Sequence, residues 1–164
     1  ITPLIAILVS IGSIAVSWKI YDLICKSKLI SYKIIFPFLL LILGTAISFG
    51  FTKIYGPRFA FLQSGIILGS IMTFNVFYVI APNGRKIAQA ALNKKKFDLN
   101  LSAQAKVRSV HNNIITLLVL FIMLSGHASF VWASKYNWLI IAILAIIFGT
   151  IQHYVNLKNK KERN

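Results

Sequence analysis

A chain of 164 residues that is 57% hydrophobic and only 13% charged, with a mean hydropathy of +0.75, has too little polar surface for a water-soluble domain of its size. The formal net charge of +15 is confined to particular segments, so membrane topology explains it better than a nucleic-acid partner does. A single cysteine, Cys25, excludes an internal disulfide, a C-x-x-C zinc site and covalent haem at C-x-x-C-H.

The first residue is Ile1, so the sequence reads as a processed chain or part of a longer one. A spanning helix needs about 20 mostly apolar residues, and five segments qualify. The first runs from Leu4 to Cys25 and is followed by a lysine-rich loop, where a signal peptide would carry a small-residue cleavage site. The second covers Ile34 to Phe51 and the third Phe61 to Ile80. Residues 82–107 then read as one long polar loop, with Asn83 to Asn93 as a short amphipathic helix lying on the membrane surface. The fourth span covers Val110 to Gly126 and the fifth Trp138 to Leu157. Short connections elsewhere predict one all-α domain over residues 1–164, a compact antiparallel bundle embedded in a lipid bilayer.

Basic residues alternate with this pattern. Lys19, Lys26, Lys28 and Lys33, then Arg85, Lys86, Lys94, Lys95, Lys96, Lys106 and Arg108, then Lys158, Lys160, Lys161 and Arg163 fall on one side, which holds fifteen of the eighteen basic residues. Lys53, Arg58 and Lys135 fall on the other. The positive-inside rule places the loop and the C-terminus in the cytoplasm and Ile1 outside. Tyr136 and Trp138 read as belt residues of the outer interface, and Trp18 and Tyr21 as belt residues of the inner one.

Polar residues inside these spans are the candidate functional groups. Ser64, Gly65, Gly69 and Ser70 form a small-residue stripe, which admits a close helix neighbour or, as a lesser alternative, a flat cofactor. Asn75 is an amide in an apolar helix and will seek a partner. His111 opens the fourth span and His153 closes the fifth. Antiparallel helices put both at one depth, where two imidazoles can hold a haem iron. The alternative is that each histidine hydrogen-bonds to water or headgroups at an interface. His127 lies 16 residues beyond His111, about 24 Å along a helix and nearly on the opposite face, so the two cannot share one iron; His127 is then a cofactor ligand at a second site or a bystander. Three acidic residues, Asp22, Asp98 and Glu162, leave little material for a carboxylate acid–base pair.

Several stretches taken together carry a family resemblance. They are "GSIMTFNVFYVIAPNGRK" (Gly69 to Lys86), "RSVHNN" (Arg108 to Asn113), "TLLVLF" (Thr116 to Phe121), "SGH" (Ser125 to His127), "YNWLI" (Tyr136 to Ile140) and "QHYVNL" (Gln152 to Leu157). In this order they resemble the later part of the membrane domain of bacterial cytochrome-c-type urate hydroxylases. Leu118 stands where that family has proline, and Gly126, Ala128 and Ser129 replace a larger polar and aromatic cluster around His127. The resemblance implies oxidation of urate to 5-hydroxyisourate in the bacterial inner membrane, with electrons passing to cytochrome c or a haem c domain. It also implies further upstream helices or other membrane subunits, and haem b held by His111 and His153. Arg108 would meet a haem propionate, and Asn112, Asn113 and Asn75 would serve the substrate or the ligands. Rival readings are a haem b electron-transfer subunit with a donor other than urate, and a cofactor-free transporter or structural subunit. The catalytic residues themselves are not readable from the sequence.

Overall fold

The computed structural model describes residues 2–32 and 35–161. Ile1, Lys33, Ile34, Glu162 and Arg163, which bear on the expected topology and span limits, lie outside the described residues. Five helical segments are long and apolar enough to cross a membrane, so this is a multi-pass membrane protein. Inside lipid every backbone N–H and C=O needs an internal partner, and an α-helix satisfies them all within one segment.

Helix α1 is Pro3–Lys26, α2 is Ile35–Ile54 and α3 is Pro57–Asn75. Proline opens α1 and α3, where its missing N–H costs no helical hydrogen bond. A π turn, Val76–Ile80, joins α3 to α4, Ala81–Leu92. Helix α5 is Leu99–Leu124, α6 is the single turn Ser129–Trp132, and α7 is Asn137–Lys161. The expected loop over 82–107 is therefore mostly a helical hairpin. Asn83 donates from Nδ2 to the Leu101 carbonyl at 3.2 Å, which docks α4 on the first turns of α5; the short helix expected over Asn83 to Asn93 is present as part of α4. Lys94, in the left-handed region at φ 53°, ends α4, with Lys95 N–H bonded to Ala90 O and Lys94 N–H to Ala91 O. Asp98 then caps α5 by accepting the Asn100 N–H at 2.8 Å.

Helix α3 is the hub. Helix α1 lies parallel to it, and Gln63, fully buried, ties the two together. Its Oε1 accepts from Ser10 Oγ at 2.8 Å, and its Nε2 donates to Ser13 Oγ at 3.0 Å. Helix α2 runs antiparallel to α3 and is joined to it by the Ser64–Ser48 hydroxyl pair at 3.0 Å. Two apolar cores result. Tyr21, Cys25, Phe36, Phe51, Ala60, Ile67 and Ile71 form one between α1, α2 and α3. Phe61, Leu118, Ile122, Val131 and Ile141 form the other, where α5, α6 and α7 meet α3. The ends of α1, α3 and α7 and the start of α5 share the basic end of the bundle.

The small-residue stripe is a helix-packing surface. A Cβ added at Gly65 would sit 2.6 Å from Ile122 Cγ2 and 2.8 Å from Met123 Cε, whereas one at Gly69 would meet Val119 Cγ1 at an ordinary 3.8 Å. Ile122 is β-branched and fully buried, so it cannot swing away. Gly65→Ala is expected to destabilise the bundle by about 1–3 kcal/mol through overpacking, and Gly69→Ala to change it by less than about 0.5 kcal/mol. Thermal unfolding of the two variants in the same detergent checks this; equal melting would refute the close approach.

Candidate functional site

The polar residues of α1, α3 and α5 converge at the basic end. Arg108 and Asp22 are both buried, and Arg108 Nη2 donates to Asp22 Oδ1 at 2.6 Å. An isolated charge at this position would be costly, and each group neutralises the other. Arg108 Nη1 also donates to Asn75 Oδ1 at 3.1 Å, and the guanidinium lies 4.8 Å from the Tyr21 ring centre. Lys26 reaches the other Asp22 oxygen at 2.6 Å. That ammonium is largely exposed, so its contribution is small.

Asn75, fully buried, is the junction. Its Nδ2 donates to Asn112 Oδ1 at 2.9 Å and to the Tyr21 hydroxyl at 3.2 Å. Asn112 Nδ2 in turn donates to the Met72 carbonyl at 3.0 Å. Each side chain in this chain of amides is thereby partnered, as a buried amide in hydrocarbon requires.

His111 closes the network. Its Nδ1 lies 2.8 Å from the Tyr21 hydroxyl, and Phe36 of α2 stacks on the ring at 5.0 Å between centroids and 21° between planes. Three helices therefore fix one imidazole, and Nε2 is the nitrogen without a hydrogen bond among the described residues. A urate oxidase N-terminal family model matches residues 1–164. The chain belongs to that family. Neither the curated proteins nor the solved structures yield a match.

In this urate oxidase N-terminal domain the other two histidines lie on α7 and just beyond α5. Gly149 of α7 lies against Ile114 of α5, with a Cβ position 3.9 Å from Ile114 Cγ2. His111 stands three residues before Ile114, and His153 four residues after Gly149. On antiparallel helices both steps lead one turn toward the basic end, so the two histidines share a level. They are not in mutual contact: among the described residues no hydrogen bond or ring contact joins them. His153 is exposed, as are Ile151, Tyr154 and Val155 around it. His127 lies in a short 3₁₀ turn, Ser125–His127, at the other end of α5, and is exposed.

Arg108 was expected at the membrane surface, facing a propionate. It is instead turned inward, with one nitrogen on Asp22 and another on Asn75. Asn113 is exposed and takes no part in the cluster. Sequence reasoning missed Tyr21, Asp22, Phe36 and Gln63. Asp22 carried a usable signal, because a carboxylate inside an apolar helix marks a site with a partner. Tyr21 did not, because a tyrosine near a helix end reads as an interface anchor, whereas here it is buried. Trp18, also read as an anchor, is half-buried and contacts Phe74 and Tyr78.

Proposed function

We propose that the chain is the membrane-embedded, haem b-binding part of a urate-oxidising enzyme. Urate and water give 5-hydroxyisourate, two protons and two electrons, and the electrons pass to cytochrome c. Family membership supports urate as the substrate. The observation that carries the redox reading is His111, pinned at Nδ1 by Tyr21 and stacked by Phe36. A metal-binding histidine typically hands its second nitrogen to such a partner, which fixes tautomer and orientation. His153 at the same level supplies a second imidazole, and the exposed last turns of α7 leave a side from which a flat macrocycle can enter. His111 and His153 would hold the iron, and haem b would supply a one-electron carrier within the bilayer.

The protein's own residues do the rest. Tyr21 accepts from His111 Nδ1–H when Nε2 is a ligand, and its oxygen already accepts from Asn75, so one hydroxyl orients ring and amide together. The Arg108–Asp22 pair holds that amide in place. The apolar helices exclude water, which strengthens every polar contact among them. The charge asymmetry supports a topology with the basic end, and with it this site, on the cytoplasmic side of a bacterial inner membrane.

A second reading follows from the closure of the cluster. Asn75, Asn112 and Arg108 satisfy one another, which leaves few of their groups to recognise a purine edge. That favours an electron-transfer subunit whose donor is not urate. One experiment separates the two. Protein purified with haem should show urate-dependent reduction of its b-type absorbance under anaerobic conditions. Reduction by dithionite with no response to urate would select the electron-transfer subunit. His127, exposed and about 24 Å away along the helix, serves as the control: His127→Ala should keep most of the haem absorbance that His111→Ala loses. Equal loss from both would overturn the ranking of the two histidines.

A further inference from the structure

A groove on the outer surface of the bundle, where α1 meets the α3–α4 junction, is used by neither reading. Ala15, Val16, Trp18 and Lys19 line one wall and Phe74 and Tyr78 the other, around a volume of about 400 Å³. Its floor is aromatic. Trp18 meets Phe74 edge-on at 5.4 Å and Tyr78 at 5.2 Å between centroids. The groove runs along the π turn Val76–Ile80, and such turns inside helices recur at functional sites. The Trp18 indole N–H is buried and meets no acceptor among the described residues.

Lys19 supplies the charge. It is exposed and makes no ion pair among the described residues. The nearby Asp22 is taken by Arg108 and Lys26. Depth makes this unusual. Helix α1 has 24 residues, about 36 Å at 1.5 Å per residue, against a hydrocarbon core of about 30 Å. Centred in that core, the helix places the Lys19 backbone about 8 Å inside the hydrocarbon edge. Its ammonium must snorkel to the phosphate level, along the groove wall.

We propose that this groove binds one anionic glycerophospholipid. Its phosphate pairs with Lys19. Its glycerol and upper acyl chains lie along Trp18, Phe74 and Tyr78. An anionic headgroup is favoured because a zwitterionic one carries its own cation, which competes with Lys19.

The test is native mass spectrometry of the detergent-purified protein after incubation with equal amounts of phosphatidylglycerol and phosphatidylcholine. Wild type is expected to retain one phosphatidylglycerol in preference. Lys19→Gln should lower that occupancy about fivefold, the effect of roughly one cationic contact with an anionic lipid. Ala15→Trp, which fills the groove without changing charge, should lower it as well. Both positions are exposed, so neither change threatens the fold, and an unchanged melting temperature verifies that. Equal retention of the two lipids by wild type, unchanged phosphatidylglycerol occupancy in Lys19→Gln, or a bound quinone in place of the lipid would each overturn the proposal. None of these outcomes depends on haem or urate.

Discussion

Asp22→Ala is expected to destabilise the protein strongly, by about 3–5 kcal/mol. The reason is an asymmetry between the partners. Removing the carboxylate leaves the Arg108 guanidinium buried among Tyr21, Asn75 and apolar side chains, and a guanidinium cannot shed its proton. Removing the arginine leaves a carboxylate that keeps an ion-pair partner, Lys26 at 2.6 Å. Arg108→Ala should therefore cost less than Asp22→Ala, although it also unties Asn75 Oδ1. Replacing both members with apolar residues, Asp22→Leu with Arg108→Met, should recover part of the loss, because no charge is then stranded. It should not recover all of it, since Asn75 keeps an unpaired carbonyl worth about 1–3 kcal/mol. Unfolding midpoints of the three variants in one detergent decide the matter. An Asp22→Ala protein within about 0.5 kcal/mol of wild type would mean that the pair is not a structural element.

The five spans were legible because each is an apolar run of about 20 residues, and hydropathy reports the solvent directly. Their helical limits were not. Residues 99–109 are polar enough to read as a loop, yet they continue α5, because Asp98 caps the helix and α4 packs alongside. Hydropathy marks which part of a helix lies in lipid, not where the helix begins. The π turn at Val76–Ile80 carries α3 into α4 through the last residues of the expected third span, where hydropathy gives no sign of a change in helical pitch. The candidate site divides in the same way. Asn75, Arg108, His111 and Asn112 stood out as polar groups in apolar helices, and four of the six network members were thus visible. Tyr21 and Asp22 were not assigned to it, because pairing between α1 and α5 spans 86 residues of sequence, and no local pattern encodes such a contact. The scarcity of acids argued against carboxylate chemistry, but it also made the one acid inside a span more informative. The surroundings of His153 were illegible for a different reason: the exposure of the last turns of α7 depends on what covers them, and no periodicity in the sequence reports that.

His111→Ala and His153→Ala are expected to abolish or convert the same b-type haem signal, and the double variant to do little more than either single one. Two imidazoles on one iron act as a unit, so losses within the pair cannot add. The geometry gives the two variants different side effects. His111 is held by Tyr21 and Phe36, so its removal also leaves the Tyr21 hydroxyl without one partner and opens space beside Phe36. His153 is exposed, so its removal should leave the melting temperature of the haem-free protein within about 1 °C to 2 °C, in keeping with a surface change of under 0.5 kcal/mol. Haem loss with unchanged stability in His153→Ala would thus mark a ligand and not a folding defect. Tyr21→Phe supplies the third arm. It keeps both imidazoles but removes the group that orients His111, and changes of this kind typically weaken metal binding by about 10–100-fold. Its haem should keep the six-coordinate, low-spin absorbance and dissociate faster to an acceptor such as apomyoglobin. Two separate haem signals, one lost with each histidine, would refute the shared iron. A Tyr21→Phe protein that holds haem as tightly as wild type would show that the hydrogen bond to Nδ1 serves the fold alone.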